Sequence, residues 1–482
     1  MTNVKRQNAE APEVQAAEIA SLYNNTALEY SRKKDYASAL ELYKKALEVC
    51  KKELGKDHPD IATIYINIAL DLANQRNYSQ ALKLYRKALA IYKKAHGDEH
   101  SDIATTYNNM ALAYDKKGNS VEALKWYRKA LAIYETALDK EHPHIATVYD
   151  NIAGIYDSQG HYNKALAWYQ KALALRDKAL GGEHLDTATT YNNIALVYYH
   201  QGKYKEALNL FLKAMPTIEN VIGVEHPDTA TIYNNIAGLY DSQEDYTKAL
   251  EWYRKTLAIR EKALGDEHPD TASTYSDIAV VYNNQGDYTK ALDFHQKSLA
   301  IRRKTLGNKH TDLAVSYNNI ATVYSGKKDY AKALKSYQKA LAIYTDSLGD
   351  EHPYTAFSSK NIASVYNSMG DYAKALEWYR KALAVYEKAL GKEHPDTVII
   401  YNSIAFIYYR QGDYQKADEW YRKDFSTADT YNTIAGVYSR QGNDEKALEM
   451  YRKALAIYEE VLGNDHPETK KALAEIARIK GH

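Results

Sequence analysis

Asparagine recurs in this chain at a fixed interval. Asn25, Asn67, Asn109, Asn151, Asn193 and Asn235 follow one another at a step of 42 residues, and Asn319 and Asn361 resume the series after Asp277. In several copies a second asparagine stands just ahead: Asn108, Asn192, Asn234 and Asn318. A side-chain amide carries both donors and an acceptor, the complement of a peptide backbone. Helices pack roughly 8 to 10 Å apart, and an extended chain advances about 3.3 to 3.6 Å per residue. A column of such amides would therefore grip a guest backbone about every third residue. The competing outcome is that the amides satisfy neighbouring groups inside the protein, as most buried polar groups do.

Specificity would come from positions on the same face that vary between copies. One set runs Leu70, Leu112, Gly154, Leu196, Gly238, Val280, Thr322, Ser364 and Phe406. Another, one turn later, runs Asp115, Asp157, Tyr199, Asp241, Asn283, Ser325, Asn367 and Tyr409. The earlier copies are acidic and apolar, whereas Arg410 and Arg440 place positive charge toward the far end. An acidic or carboxylate-bearing ligand end would dock there, unless these charges are ordinary surface scatter.

Ten of the 16 histidines, from His58 to His466, precede a Pro-Asp or related pair. A metal site needs three or four ligands within about 2.0 to 2.3 Å of one ion. These histidines come one per copy, so the pattern predicts helix-start residues that cap, with no metal and no cofactor. The sequence holds no Gly-x4-Gly-Lys-Ser/Thr loop, no His-Glu-x-x-His and no Gly-x-Ser-x-Gly, and the expectation is a non-enzyme.

Lys plus Arg number 63 and Asp plus Glu 62, for a net charge of +1. That balance argues against broad attraction to nucleic acid or an anionic membrane. The single Cys50 offers no intramolecular disulfide, and no apolar run approaches the roughly 20 residues of a membrane span. A soluble, cytoplasmic protein is expected, its partner a protein or peptide.

The elements that must position these residues are short helices. Tyr191, Ile194, Ala195 and Tyr198 follow the i, i+3, i+4, i+7 spacing of one helix face, and Ala207, Phe211 and Ala214 make a second stripe after the turn Gln201-Gly202-Lys203. Small residues at Ala195 and Ala207 recur in nearly every copy and let paired helices approach closely. Between copies, Leu-Gly closes a helix, as at Gly265, and His268-Pro269-Asp270 opens the next. The 46 tyrosines against 5 phenylalanines mark repeated packing positions, such as Tyr43, Tyr85 and Tyr127.

With Tyr-Asn-Asn-Ile-Ala, Gln-Gly-Lys/Asp-Tyr, Lys-Ala-Leu and Leu-Gly-x-Glu-His-Pro-Asp repeated in register, the chain resembles tetratricopeptide repeat proteins, specifically the 42-residue variety of kinesin light chains. The resemblance covers residues 13 to 480 and implies an all-α, right-handed superhelical solenoid of stacked antiparallel helix pairs. It also implies that first helices line a concave groove whose asparagines hold extended peptides. Two departures stand out: only a dozen polar residues precede the repeats where kinesin light chains carry a heptad segment, and the Lys and Asn of the chaperone-tail clamp are mostly Leu, Gly, Val or Ser here. The domain reading is a disordered tail over 1–12, eleven helix-pair repeats over 13–466 and a capping helix over 467–482. The copy at 401–430 is 12 residues short, which would expose surface near Phe425, and Pro216 inside a second helix predicts a bend. The expected function is a scaffold or adapter holding a peptide or partner domain in the groove. The alternative is a self-associating solenoid, or a regulatory subunit gating a separate effector.

Overall fold

A computed structural model describes residues 12–33, 35–138, 142–392, 394–423, 428–461, 464 and 466–480. The expected tail over 1–12, apart from Pro12, and the surface near Phe425 lie outside the described residues. The described residues form 23 α-helices and no strand. Consecutive helices pack as pairs, numbered here as repeats one to eleven, and a last helix, Pro467–Lys480, lies on the second helix of repeat eleven. By compactness the chain divides into two bodies, Met1–Leu239 and Tyr240–His482.

Each pair is held by small residues at its crossing. Ala195 with Ala207, Ala279 with Ala291 and Ala321 with Ala333 are fully buried, so the two backbones approach without a large side chain between them. Rings fill the layer around them. Tyr43, Tyr85 and Tyr127 on second helices are buried, and Phe211 takes the same place in repeat five. Trp126 is flanked by the Tyr107 ring at 5.1 Å and the Lys129 ammonium at 4.6 Å, an arrangement repeated at Trp168.

The helix ends explain the joint. In the ten joints that carry a histidine, its Nδ1 accepts the backbone N–H two residues on, at 3.1 to 3.3 Å, from His58 with Asp60 to His466 with Glu468. Only an imidazole nitrogen without a proton can accept there, so the cap requires one ring tautomer. At the other end, Gly265 takes φ +90° and its N–H closes on the Glu261 carbonyl at 3.0 Å. Within the hairpins, Asp245 caps its helix by accepting the Lys248 N–H at 3.2 Å, while the Lys248 ammonium pairs with the same carboxylate at 2.8 Å. Asp287, Asp329, Asp371 and Asp413 repeat that cap.

Four places break the pattern. The second helix of repeat ten is only Tyr414–Tyr421, and repeat eleven opens at Ala428 with no histidine cap. The second helix of repeat five is continuous from Tyr204 to Ile222 with Pro216 inside it. Pro216 is exposed, and so is Leu212, whose carbonyl loses its N–H partner; water can serve that carbonyl, which lets the helix continue. Arg176, Arg260 and Arg302 occupy a second-helix position that holds tyrosine at Tyr92, Tyr134 and Tyr344. Finally His295 replaces the core tyrosine in repeat seven, is 2% exposed, and is pushed down to about 4 by burial, with Arg302 adding to the effect.

Two outcomes follow from these irregularities. Pro216→Ala should raise the urea midpoint, gaining about 2 kcal/mol from helix propensity alone; an unchanged midpoint would show that the helix already absorbs the proline at no cost. His295 stays neutral when folded but takes a proton near pH 6.5 when unfolded, so its contribution falls as pH drops from 6.5 toward 4. His295→Phe should therefore be nearly neutral at pH 7.5 and stabilising by about 2 kcal/mol at pH 5. Equal effects at the two pH values would refute the buried neutral ring.

Candidate peptide-binding groove

Each first helix carries at its centre the two positions that hold an asparagine pair in five repeats and one asparagine in most of the others, and the helical period brings the positions three before and three after onto the same face. Recesses lie along that face. One of about 290 Å³ is lined by Leu185, Thr189, Asn192, Asp228 and Thr231. Another, about 580 Å³, includes Ser21, Leu22, Asn24, Asn25 and Thr63. A third, about 650 Å³, includes Ile399, Asn402, Ser403, Phe406 and Thr433.

The asparagines form a lateral ladder between repeats. Asn67 Nδ2 donates to Asn24 Oδ1 at 2.9 Å, Asn151 to Asn108 at 3.2 Å, and Asn235 to Asn192 at 3.0 Å, each across 43 residues. Asn319 donates to the Ser276 hydroxyl at 3.3 Å in the same register. So the second amide of one repeat reaches the first amide of the repeat before. These amides are half-buried, and one such bond uses only part of an amide's capacity.

The partner place differs in the other repeats. Asn109 faces the register position of Ile66, which has no polar atom to offer. For Asn193 that position is Asp150, whose Oδ2 is taken by the buried Arg176 guanidinium and lies 3.5 Å from the Thr190 hydroxyl, while its buried Oδ1 has no hydrogen-bond partner among the described residues. Burial pushes the Asp150 carboxyl up to about 6 against the pull of Arg176. For Asn361 it is Asn318, which is buried and already accepts from Ser358 at 3.3 Å. Asn109, Asn193 and Asn361 are half-buried; Asn25 is exposed, with Nδ2 on Ser21 at 3.4 Å. Asn234 is half-buried beside Asn235.

A second ladder runs two turns on, in the same 43-residue register. His200 Nδ1 meets Asp157 at 3.0 Å, a bond that raises the His200 pKa, and Asn284 Nδ2 donates to Asp241 at 3.4 Å. Burial raises the carboxyls of Asp115 and Asp241. Arg440 belongs to this ladder at a separation of 31 residues, the 43-residue register less the 12 that repeat ten lacks: its guanidinium lies 4.9 Å from the Tyr409 ring centre, and Tyr409 also meets Phe406 at 6.4 Å and Tyr414 at 5.7 Å. Arg410 is exposed beside Tyr409. Tyr199 packs between His200 at 5.6 Å and Tyr204 at 5.9 Å. Sequence reasoning missed His200 and Asn284 as bridging residues, and it missed Thr63, Thr189 and Ile399, which line recesses three residues before the amides. The 42-residue alignment held the signal for the latter.

Family models of the tetratricopeptide repeat match nine tandem, overlapping spans that advance by 42 residues, from 18–94 to 354–423, and a further span at 427–468. The chain belongs to the tetratricopeptide repeat family. No curated protein matches it. Solved structures similar to this repeat protein include a putative kinesin light chain of Podospora anserina with nearly identical repeats, at 24% identity, covering 43% of this chain and 99% of that one, TM-score 0.38. BtubC (BKLC) from P. vanneervenii is similar at 22% identity over 49% and 93%, TM-score 0.41. Yeast Tom70 is similar at 15% identity over 96% of each chain, TM-score 0.49. Among the described residues of the repeat protein, no helix is long and apolar enough to cross a membrane.

The ladder separates two kinds of asparagine by stability. Asn67→Ala removes a bond between repeats and should cost about 1 kcal/mol, whereas Asn109→Ala should cost less than about 0.5 kcal/mol. Matching losses in thermal unfolding would mean that the lateral bond holds nothing together.

Proposed function

We propose that this repeat protein is a binding scaffold without catalysis that holds an extended segment of another protein along its first-helix face, in a cytoplasmic setting. The observation that carries the reading is the division among the groove amides. Where an acceptor stands 43 residues earlier the amide is committed sideways, and at Asn109 and Asn193 the corresponding place holds Ile66 or the Arg176-bound Asp150. A half-buried amide without that partner gains most from a guest peptide bond, because a partly desolvated donor is costly to leave unmade. With repeats packed about 10 Å apart, Asn109 and Asn193, two repeats from one another, are separated by about 20 Å, the advance of about six extended residues.

Arg410, with Tyr409 and its stacked Arg440, supports an acidic or carboxylate-bearing residue of the ligand at repeats ten and eleven. The second reading, self-association through a repeat end, draws on the first helix, where Leu22 is 66% exposed and Val14 48%. Light scattering across concentration separates the two, because only self-association gives a mass that grows.

Asn109→Ala combined with Asn193→Ala should reduce capture of protein partners from a native extract at least tenfold, while Asn67→Ala combined with Asn151→Ala should lower stability more than capture. Undiminished capture by the first double variant would overturn the groove-amide assignment.

A further inference from the structure

The position three residues before the first amide of each repeat changes character along the chain. It holds Ser21, Thr63, Thr105, Thr147, Thr189, Thr231 and Ser273 in repeats one to seven, then Val315, Phe357 and Ile399 in repeats eight to ten. In the earlier repeats this hydroxyl has a task. Thr63 bonds the Tyr92 hydroxyl at 2.8 Å, Thr105 bonds Tyr134 at 2.8 Å, and Ser273 and Thr147 accept from Arg302 and Arg176 at 3.4 and 3.5 Å. Each bond ties the first helix of a repeat to its own second helix. In repeats eight and nine the phenols remain, as Tyr344 and Tyr386, but the hydroxyl that would meet them is replaced by Val315 and Phe357.

The replacements do not go to the core. Val315 is 41% exposed, Phe357 37% and Ile399 49%, and Phe406 one helix face further on is 43% exposed. Three successive repeats thus give up a helix-to-helix hydrogen bond position and place a large apolar side chain toward solvent, where burial contributes little to the fold. Ile399 and Phe406 line one recess of about 650 Å³ with Val398, Asn402 and Ser403. First helices here are neighbours: Ser358 reaches Asn318 at 3.3 Å between repeats eight and nine, and Lys360 reaches Asp396 at 3.4 Å between nine and ten. The three side chains therefore recur about every 10 Å along one face, the advance of three extended residues. The charges beside them cancel, since Lys360 lies over Phe357 at 4.9 Å and is paired with Asp396.

We infer that Val315, Phe357 and Ile399 form an apolar reading strip for an extended, uncharged segment of a partner protein with an aliphatic or aromatic residue at every third position. The paired charges favour that occupant over a charged one. The inference rests on the groove reading above but uses the second body, so the two fail separately.

The probe is a fluorescein-labelled, end-blocked nonapeptide with leucine at its second, fifth and eighth residues and serine or glutamine between, compared with a peptide of equal composition and adjacent leucines. Fluorescence anisotropy with the full chain should show at least tenfold tighter binding of the spaced peptide, changing less than threefold between 0.05 and 0.5 M salt (roughly, for an uncharged contact). The triple variant Val315→Thr, Phe357→Thr, Ile399→Thr restores the residue type of the earlier repeats; it should unfold no earlier than the parent and lose that preference. Equal binding of both peptides, an unaffected triple variant, or a variant that melts well below the parent would each overturn the strip. A parent dimer that the triple variant abolishes would overturn it in favour of a second copy as occupant. Spaced-peptide binding that survives the Asn109 and Asn193 changes leaves the strip standing whatever those changes do to capture.

Discussion

Fully buried alanines at the crossing of each helix pair set the distance on which everything else depends. Ala195 with Ala207 and Ala321 with Ala333 expose nothing to solvent, and a larger side chain there would push the helices apart. With that distance held the same in repeat after repeat, side chains on successive first helices meet in one register. The 43-residue bonds of Asn67, Asn151 and Asn235 are its product. So are His200 on Asp157 and Arg440 on Tyr409. In a stacked array each repeat is stabilised by its neighbours alone, and these cross-repeat contacts, with the tyrosine layer, are what couples one repeat to the next.

The middle repeats carry polar groups where the others carry rings. Arg176 is 5% exposed and answers Asp150, the Asp186 carbonyl and Thr190. Arg260 reaches the Asp270 carbonyl at 3.2 Å and Thr274 at 2.8 Å. Desolvating a guanidinium costs several kcal/mol in order of magnitude, and the hydrogen bonds of Arg176 offset it only in part, since its buried Nε has no partner among the described residues. What these arginines gain over tyrosine is reach: each links its own second helix to the first helix of the next repeat, since Thr190 and Thr274 lie 14 residues further on. Tyr92 and Tyr134 instead bond within their own repeat. At Arg176 and Arg302 the exchange keeps a contact inside the repeat, at Thr147 and Ser273, and adds one across the joint between two.

Much of the architecture was readable in the residues themselves. Tyr191, Ile194, Ala195 and Tyr198 specify a helix face, and Leu-Gly followed by His-Pro-Asp specifies where one helix stops and the next begins. The capping atom was not readable, because whether a histidine offers Nδ1 depends on side-chain rotation and tautomer, which only the folded turn decides. The asparagines were found by self-alignment at 42 residues, and that same method concealed their bonds. Self-alignment compares like positions, whereas the contacts run diagonally at 43 between unlike ones. Arg440 illustrates the same limit: a sequence displays its charge but not the ring of Tyr409 beneath it. For Pro216 the residue type gave the lost bond, and exposure, which the apolar stripe only implies, decided the consequence.

One residue type thus serves two ends in this chain, and what stands 43 residues earlier decides which. An asparagine behind an asparagine spends a donor on its neighbour and holds its side chain in place, as Asn235 does with Asn192, except at Asn361, where Asn318 already accepts from Ser358. Asn109 stands behind Ile66, and Asn193 behind a carboxylate whose Oδ2 is claimed by Arg176, so neither has the amide acceptor that Asn235 finds. A groove composed only of the first kind would be rigid and indifferent to a guest. One composed only of the second would lack lateral ties and splay. On the binding reading proposed above, alternation of the two would give a surface held in shape and still able to exchange hydrogen bonds, because neutral amide bonds to a guest replace bonds to water at little net change, and the geometry set by the stack would select an extended chain.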